Sequence, residues 1–258
     1  MNTKVIRKNH QNRYFIIAVC VIAAFILVGC SDGNDGGLGQ RFGSGTIATE
    51  ERTVADFDSI YVRGEGTVYL AQGDENSVVV ETDDNIIDRV YTEVKDNTLD
   101  LSYASGPLGL HLRPTKGYIY HITVVDLSAI TVKGSADVWA DQVDAENVAL
   151  EMIGSGQIVF AELNASEVSA EVTGEGQISL SGAAETQTVI VTGSGLFNGQ
   201  DFEGQNVNVH SKGSTQITVW ATESLDVSVE GQGDLHYYGD VVPNFQVGSG
   251  EIQSLGNR

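Results

Sequence analysis

The chain is short of everything that would argue for a helical or disulfide-stapled fold. Its 258 residues include only 3 prolines, 2 methionines, 2 tryptophans and 2 cysteines, against 30 glycines and many Val, Ile, Thr and Ser residues. That balance favours strands joined by tight turns over helices. Two cysteines cannot form a framework of crosslinks, so stability has to come from packing and a hydrogen-bond ladder. Basic residues are also scarce: 14 Lys and Arg face 35 Asp and Glu, a formal net charge of −21. Such a surface repels nucleic acid and anionic headgroups and excludes them as partners.

One uninterrupted apolar run stands out. MNTKVIRKNHQNR carries Lys4, Arg7, Lys8 and Arg13 with no acid, and YFIIAVCVIAAFILVG follows it. The run is shorter than the roughly 20 residues a helix needs to cross a bilayer, and its layout is that of a signal peptide over residues 1–29. It ends in Leu27-Val28-Gly29-Cys30, which resembles the bacterial lipobox. That resemblance implies that Cys30 becomes the first residue of the mature chain and carries the lipids that anchor it, each buried CH₂ contributing about 0.8 kcal/mol. Cleavage would remove four bases and no acid, leaving 10 against 35 and a charge of −25. Ser31 follows the cysteine where Asp would favour inner-membrane retention, so the reading is a bacterial envelope protein with the outer membrane favoured. The next stretch, SDGNDGGLGQRFGSG, has no apolar period and reads as a flexible tether over 30–45.

Beyond the tether the sequence repeats itself. EMIGSGQIVF at 151–160 returns as EVTGEGQISL at 171–180, and G-x-G or a near copy starts at Gly64, Gly134, Gly154, Gly174, Gly193, Gly213, Gly231 and Gly248. From Gly134 the steps are 20, 20, 19, 20, 18 and 17 residues. Two and four residues before these glycines lie pairs such as Met152/Leu150 and Val191/Val189, and four and six after them lie pairs such as Ile158/Phe160 and Ile217/Val219. Apolar residues at spacing two mark one face of a strand. Each unit therefore reads as a strand, a glycine corner, a second strand and a return loop such as AELNASE or ATESLD. A pair of strands this short cannot bury its own apolar face, but stacked copies place like side chains about 4.8 Å apart. The expected fold is all-β, a solenoid of about 20-residue rungs over 134–258. An N-terminal β section over 46–133 holds the first rung at Gly64 and an insertion, including a helical turn in DDNIIDRV, that caps the stack. Residues 46–258 are expected to form one continuous domain.

FDSIYVRGEGTVYLAQGDE, TEVKDNTLDLSY, the serial V-x-G-S-G-x-I rungs and ESLDVSVEGQGDLHYYGD together resemble the head GIN domain family of autotransporter adhesins, many of them envelope lipoproteins. The resemblance spans about residues 43 to 255. It implies a right-handed β-helix-like fold and adhesion, and it supplies no catalytic residues to carry over. The sequence departs from the G-S-G pattern where Ala136 and Thr215 replace the second glycine, so positive φ is not a general need there.

Chemistry-bearing patterns are sparse. The column after each G-x-G includes Asp137, Gln157, Gln177, Leu196 and Asp234, an interrupted series where a calcium ladder needs carboxylates in consecutive rungs. Glu151 over Glu171 and Arg63 beside Lys133 are the pairs a polysaccharide-cleaving β-helix would need, but in so acidic a chain carboxylate pairs arise by chance, and a solvated face is the favoured reading. His111, Arg113, Lys116 and His121 form a local basic cluster that reads as a solvated turn, and the histidines lack zinc-ligand spacing. No metal, cofactor or catalytic residue is expected. Tyr69, Trp139, Trp220 and Tyr238 fall at odd offsets after their glycines and face outward, where aromatics stack on sugars or anchor a protein partner; in a homo-oligomer they would pack on a neighbouring subunit, and Tyr238 with His236 and Tyr237 could close the end of the stack. The leading reading is a non-enzymatic, lipid-anchored adhesin or scaffold that binds a glycan or protein. A carbohydrate-active β-helix enzyme and a periplasmic assembly partner are the alternatives.

Overall fold

The computed structural model describes residues 40–104, 111–248 and 250–258. The apolar run, its preceding bases and Cys30 lie outside the described residues. From Asp137 onward, five strands follow one another with almost no interruption: Asp137–Gly154, Gln157–Gly174, Gln177–Gly193, Leu196–Gly213 and Gln216–Gly231. Each pairs in parallel with the next. Gln157 lies on Gln177, Val172 on Val191 and Gly174 on Gly193, so the sequence repeat is the register of the sheet. This is a β-solenoid.

The coil has three rows of strand per turn. Along Gln157–Gly174, register with the preceding rung is continuous over 157–160, 162–165 and 167–174 and skips Ala161 and Ser166. The expected return loop AELNASE is therefore itself paired strand, a correction to the two-strand unit. Its one large inward residue, Leu163, is fully buried, as are its counterparts Val143 and Phe202, and only the small Ala165 packs on the core beside it. A row that contributes one large inward residue and an alanine per turn shows no clear apolar alternation, so it reads as a loop. The other two rows alternate as expected, with Met152, Val172 and Val191 on one wall of the core and Ile158, Ile178 and Phe197 on another.

At the corner between rows, Gly154 has φ +134, and the amide of Ser155 donates to the carbonyl of Gly134 on the rung before. A Cβ on Gly154 would lie 2.0 Å from that carbonyl oxygen. Glycine is required here both for the left-handed backbone and for the close approach. The first glycine of each pair from Gly64 to Gly231 shares the positive φ. Ala136 and Thr215 do not, so the second place carries no such demand. Gly248 lacks it too, and the series ends at Gly231.

The first rung is built from residues far apart in sequence. Ser59–Gly64 pairs in register with Ala129–Gly134, and Thr67–Leu70 pairs with Asp137–Ala140. The insertion, with the segment that precedes the first rung, supplies strands that finish the stack below it. Thr98–Tyr103 lies parallel under Ser59–Val62, and Val90–Lys95 turns antiparallel beneath that. Ile119–Val124 lies parallel under Thr67–Gln72, followed by the antiparallel strands Ser77–Asp83 and Ile47–Arg52. The helical turn in DDNIIDRV is a short 3₁₀ helix, Ile87–Arg89. Tyr103 closes the glycine column: its hydroxyl occupies the place a Cβ on Gly64 would need, and its ring stacks on Tyr118 at 4.5 Å. Of the stretch read as a tether, Gln40–Phe42 pairs with His111–Arg113. Its next residues reach Asp83, a fully buried carboxylate that accepts from the amides of Gly45 (2.8 Å) and Thr115 (2.7 Å) and from the Thr115 hydroxyl (2.8 Å).

Candidate functional site

The row that follows each glycine corner presents its odd-offset residues to solvent. One outward column holds Tyr69, Trp139, Val159, Ser179, Asn198 and Thr218 on successive rungs, and it continues to His236. A second column runs beside it through Asp137, Gln157, Gln177, Leu196, Gln216 and Asp234. All four aromatics singled out in the sequence belong to this row, and they fall into two pairs.

Tyr69 and Trp139 are register neighbours, 47% and 41% exposed. His121, which pairs with Tyr69 from the other side, stacks its ring on the tyrosine at 5.4 Å and 18°. His121 thus belongs to the aromatic column, not to the basic cluster with His111, Arg113 and Lys116, which lie on or just after the strand His111–Arg113. The insertion hides this contact from sequence, although the alternation of Tyr118, Tyr120 and Ile122 inward does turn His121 outward.

Trp220 and Tyr238 are the second pair, in register at the far edge of the row. Arg258 lies over both rings, 5.7 Å from the Trp220 centroid and 5.0 Å from that of Tyr238. Its guanidinium also donates to the carbonyl of Gln200 and to the Asp201 carboxylate at 2.6 Å. That bond holds the Asp201 carboxyl below its ordinary range. On the C-terminal rungs the row forms an open groove lined by Gln177, Leu196, Asn198, Gln216, Thr218 and His236. The Gln177 amide donates to Ser179 at 2.7 Å, so it is fixed along its own strand as well as stacked over Gln157.

The remaining candidates occupy the row before the corner. Arg63 and Lys133 are register neighbours, and Arg63 is already engaged by Asp100 at 2.6 Å and by the face of Tyr61. Asp100 holds the Arg63 pKa above its ordinary value. Glu151 and Glu171 are in register, and Glu151 accepts from the Thr131 hydroxyl at 3.2 Å. Among the described residues, no three of His, Cys, Asp and Glu gather closely enough to hold a metal ion. Tyr118 and Tyr120 are buried in the core, away from this surface, and that burial raises their pKa.

Comparison with known proteins agrees with this geometry. Residues 56–241 match the family model described as "Putative auto-transporter adhesin, head GIN domain". The crystal structure of a "putative adhesin" from Bacteroides fragilis superposes with a TM-score of 0.76 at 25% identity, covering 84% of this chain and 99% of that one. A "putative lipid binding protein" from Parabacteroides distasonis gives 0.67 at 25% identity over 84% and 99%. A "putative adhesin" from Parabacteroides merdae gives 0.67 at 19% identity over 84% and 100%, a likeness of fold alone. No curated protein matches the chain.

Proposed function

Since the chain belongs to the head GIN domain family, we propose that it is a lipid-anchored adhesin of the bacterial envelope, holding a glycan or protein through the outward row after the glycine corners and catalysing no reaction. The observation that carries this reading is the exposed aromatic column of Tyr69 and Trp139, backed by His121, on a flat face. Large rings left in water on a regular sheet are costly unless a partner covers them, and such residues dominate the energetics of binding surfaces. Trp220 and Tyr238 extend the same face. Anchoring is read from Cys30 behind the apolar run, and the outer membrane is the favoured location.

The test uses the full chain expressed in a bacterium that lacks it. Adhesion of those cells to immobilised glycans and proteins is expected to rise above the empty-vector level. Cys30→Ser should abolish acyl labelling and adhesion together while leaving the fold intact. Acyl labelling that survives Cys30→Ser would remove the anchor from the proposal, and adhesion at the empty-vector level would overturn it.

A further inference from the structure

Resting on the adhesin reading above, we infer that the ligand of this row is a neutral, linear polysaccharide, bound along the stack axis by internal segments and not by a chain end. The two outward columns make the case together. Neither contains a Lys or Arg on any rung from Tyr69 to His236. The guanidinium of Arg258, over the Trp220 and Tyr238 rings, is already engaged by Asp201. With Asp137 and Asp234 in the row and a net charge of −21 on the chain, an anionic polymer would meet repulsion and no countercharge.

What the row does offer is what neutral sugars need. The rings of Tyr69 and Trp139 supply apolar contact for the C–H faces of a pyranose. Gln157, Gln177, Asn198 and Gln216 carry amides, whose N–H and carbonyl groups suit hydroxyls; one Gln177 N–H is given to Ser179, and the Asn198 oxygen accepts from the Gln200 amide. These amides recur rung after rung, so a repeating polymer meets a repeating surface. The outward column runs past six rung steps from Tyr69 to His236, about 29 Å at the usual strand spacing, and over its last three steps, from Gln177 to His236, the row is an open groove. A site of that shape takes the middle of a chain, whereas recognition of a terminal sugar needs a closed pocket.

The full-length chain in detergent can be run through native gels cast with xyloglucan, galactomannan or a mixed-linkage glucan, with alginate and heparin as the anionic comparison. Retardation by at least one neutral polymer, growing with oligosaccharide length and absent for monosaccharides, is expected. Trp139→Ala and Tyr69→Ala should each weaken it about tenfold or more. Trp139→Phe, which keeps a ring, should retain most of it, and Tyr91→Ala on the antiparallel cap, another exposed ring, should leave it unchanged. No retardation by any neutral polymer, equal retardation by alginate, or equal loss from Tyr91→Ala would overturn the inference. If cells carrying the chain still adhere to protein-coated surfaces in that event, the adhesin reading stands without the glycan; if they adhere to nothing, both fall.

Discussion

The hydroxyl of Ser211 hydrogen-bonds the hydroxyl of Thr215 inside the core, where both residues are almost fully buried. Each is an exception in its own column: Ser211 stands where other rungs have Val191 or Val229, and Thr215 stands where they have Gly195 or Gly233. The two departures satisfy one another, since a lone buried hydroxyl costs about 1–3 kcal/mol. Gly233 on the next rung completes the arrangement, because a Cβ there would lie 2.4 Å from the Thr215 oxygen and 2.5 Å from that of Ser211.

A double-mutant cycle reads this pairing directly. Ser211→Val and Thr215→Gly should each destabilise by about 1–3 kcal/mol, and the double variant, which restores the Val/Gly pattern of the adjacent rungs, should lie close to the wild type. A coupling of about 1 kcal/mol or more in urea unfolding is expected. Additive losses would show that the two exceptions are independent.

Gly154 tests the corner. Replacement by Ala meets both a positive φ and the Gly134 carbonyl at 2.0 Å, so the loss should exceed the roughly 1–3 kcal/mol of left-handed strain alone. Ser155→Ala, one residue on and exposed, should stay within about 0.5 kcal/mol. Equal urea midpoints for the two variants would remove the corner argument.

The sequence makes the corners and two walls of the core plain because each rung repeats at least two inward residues beside a glycine. Val172 and Ile178 could be placed before any coordinates for that reason. The third row is unreadable for the opposite reason: Leu163 is the one large apolar residue among AELNASE, and nothing local separates a strand with one large inward side chain from a loop. The insertion hid more. Its strands join the stack through partners distant in sequence, so that His121 reaches Tyr69 and Tyr103 reaches Gly64, and no repeat announces either contact. Trp220 and Tyr238 were legible as outward aromatics, but their cover, Arg258, lies outside the periodic segment.

Leu163→Ala therefore asks whether the third row is core. Its side chain is fully buried, and truncation should cost about 2–5 kcal/mol, whereas Glu162→Ala beside it, exposed in the same strand, should cost little. A return loop lying on the surface would tolerate both changes equally, and equal thermal midpoints would reinstate it.

Asp83 sets the expected response to acid. Burial alone pushes its carboxyl up, but the bonds donated by Thr115 and Gly45 more than offset that and hold it below the ordinary carboxylate range. A group whose folded pKa is depressed contributes stability that is complete above its unfolded value, about 3.9, and is lost as pH falls through the folded one. Asp83→Asn keeps the shape yet turns an amide toward donors that need an acceptor, so it should destabilise by about 2 kcal/mol at neutral pH. Unfolding free energies measured from pH 7 down to pH 2 should then converge for wild type and variant, because the protonated wild-type carboxyl has lost the same bonds. A gap between the two that stays constant across this range would show that Asp83 acts through packing and not through its charge.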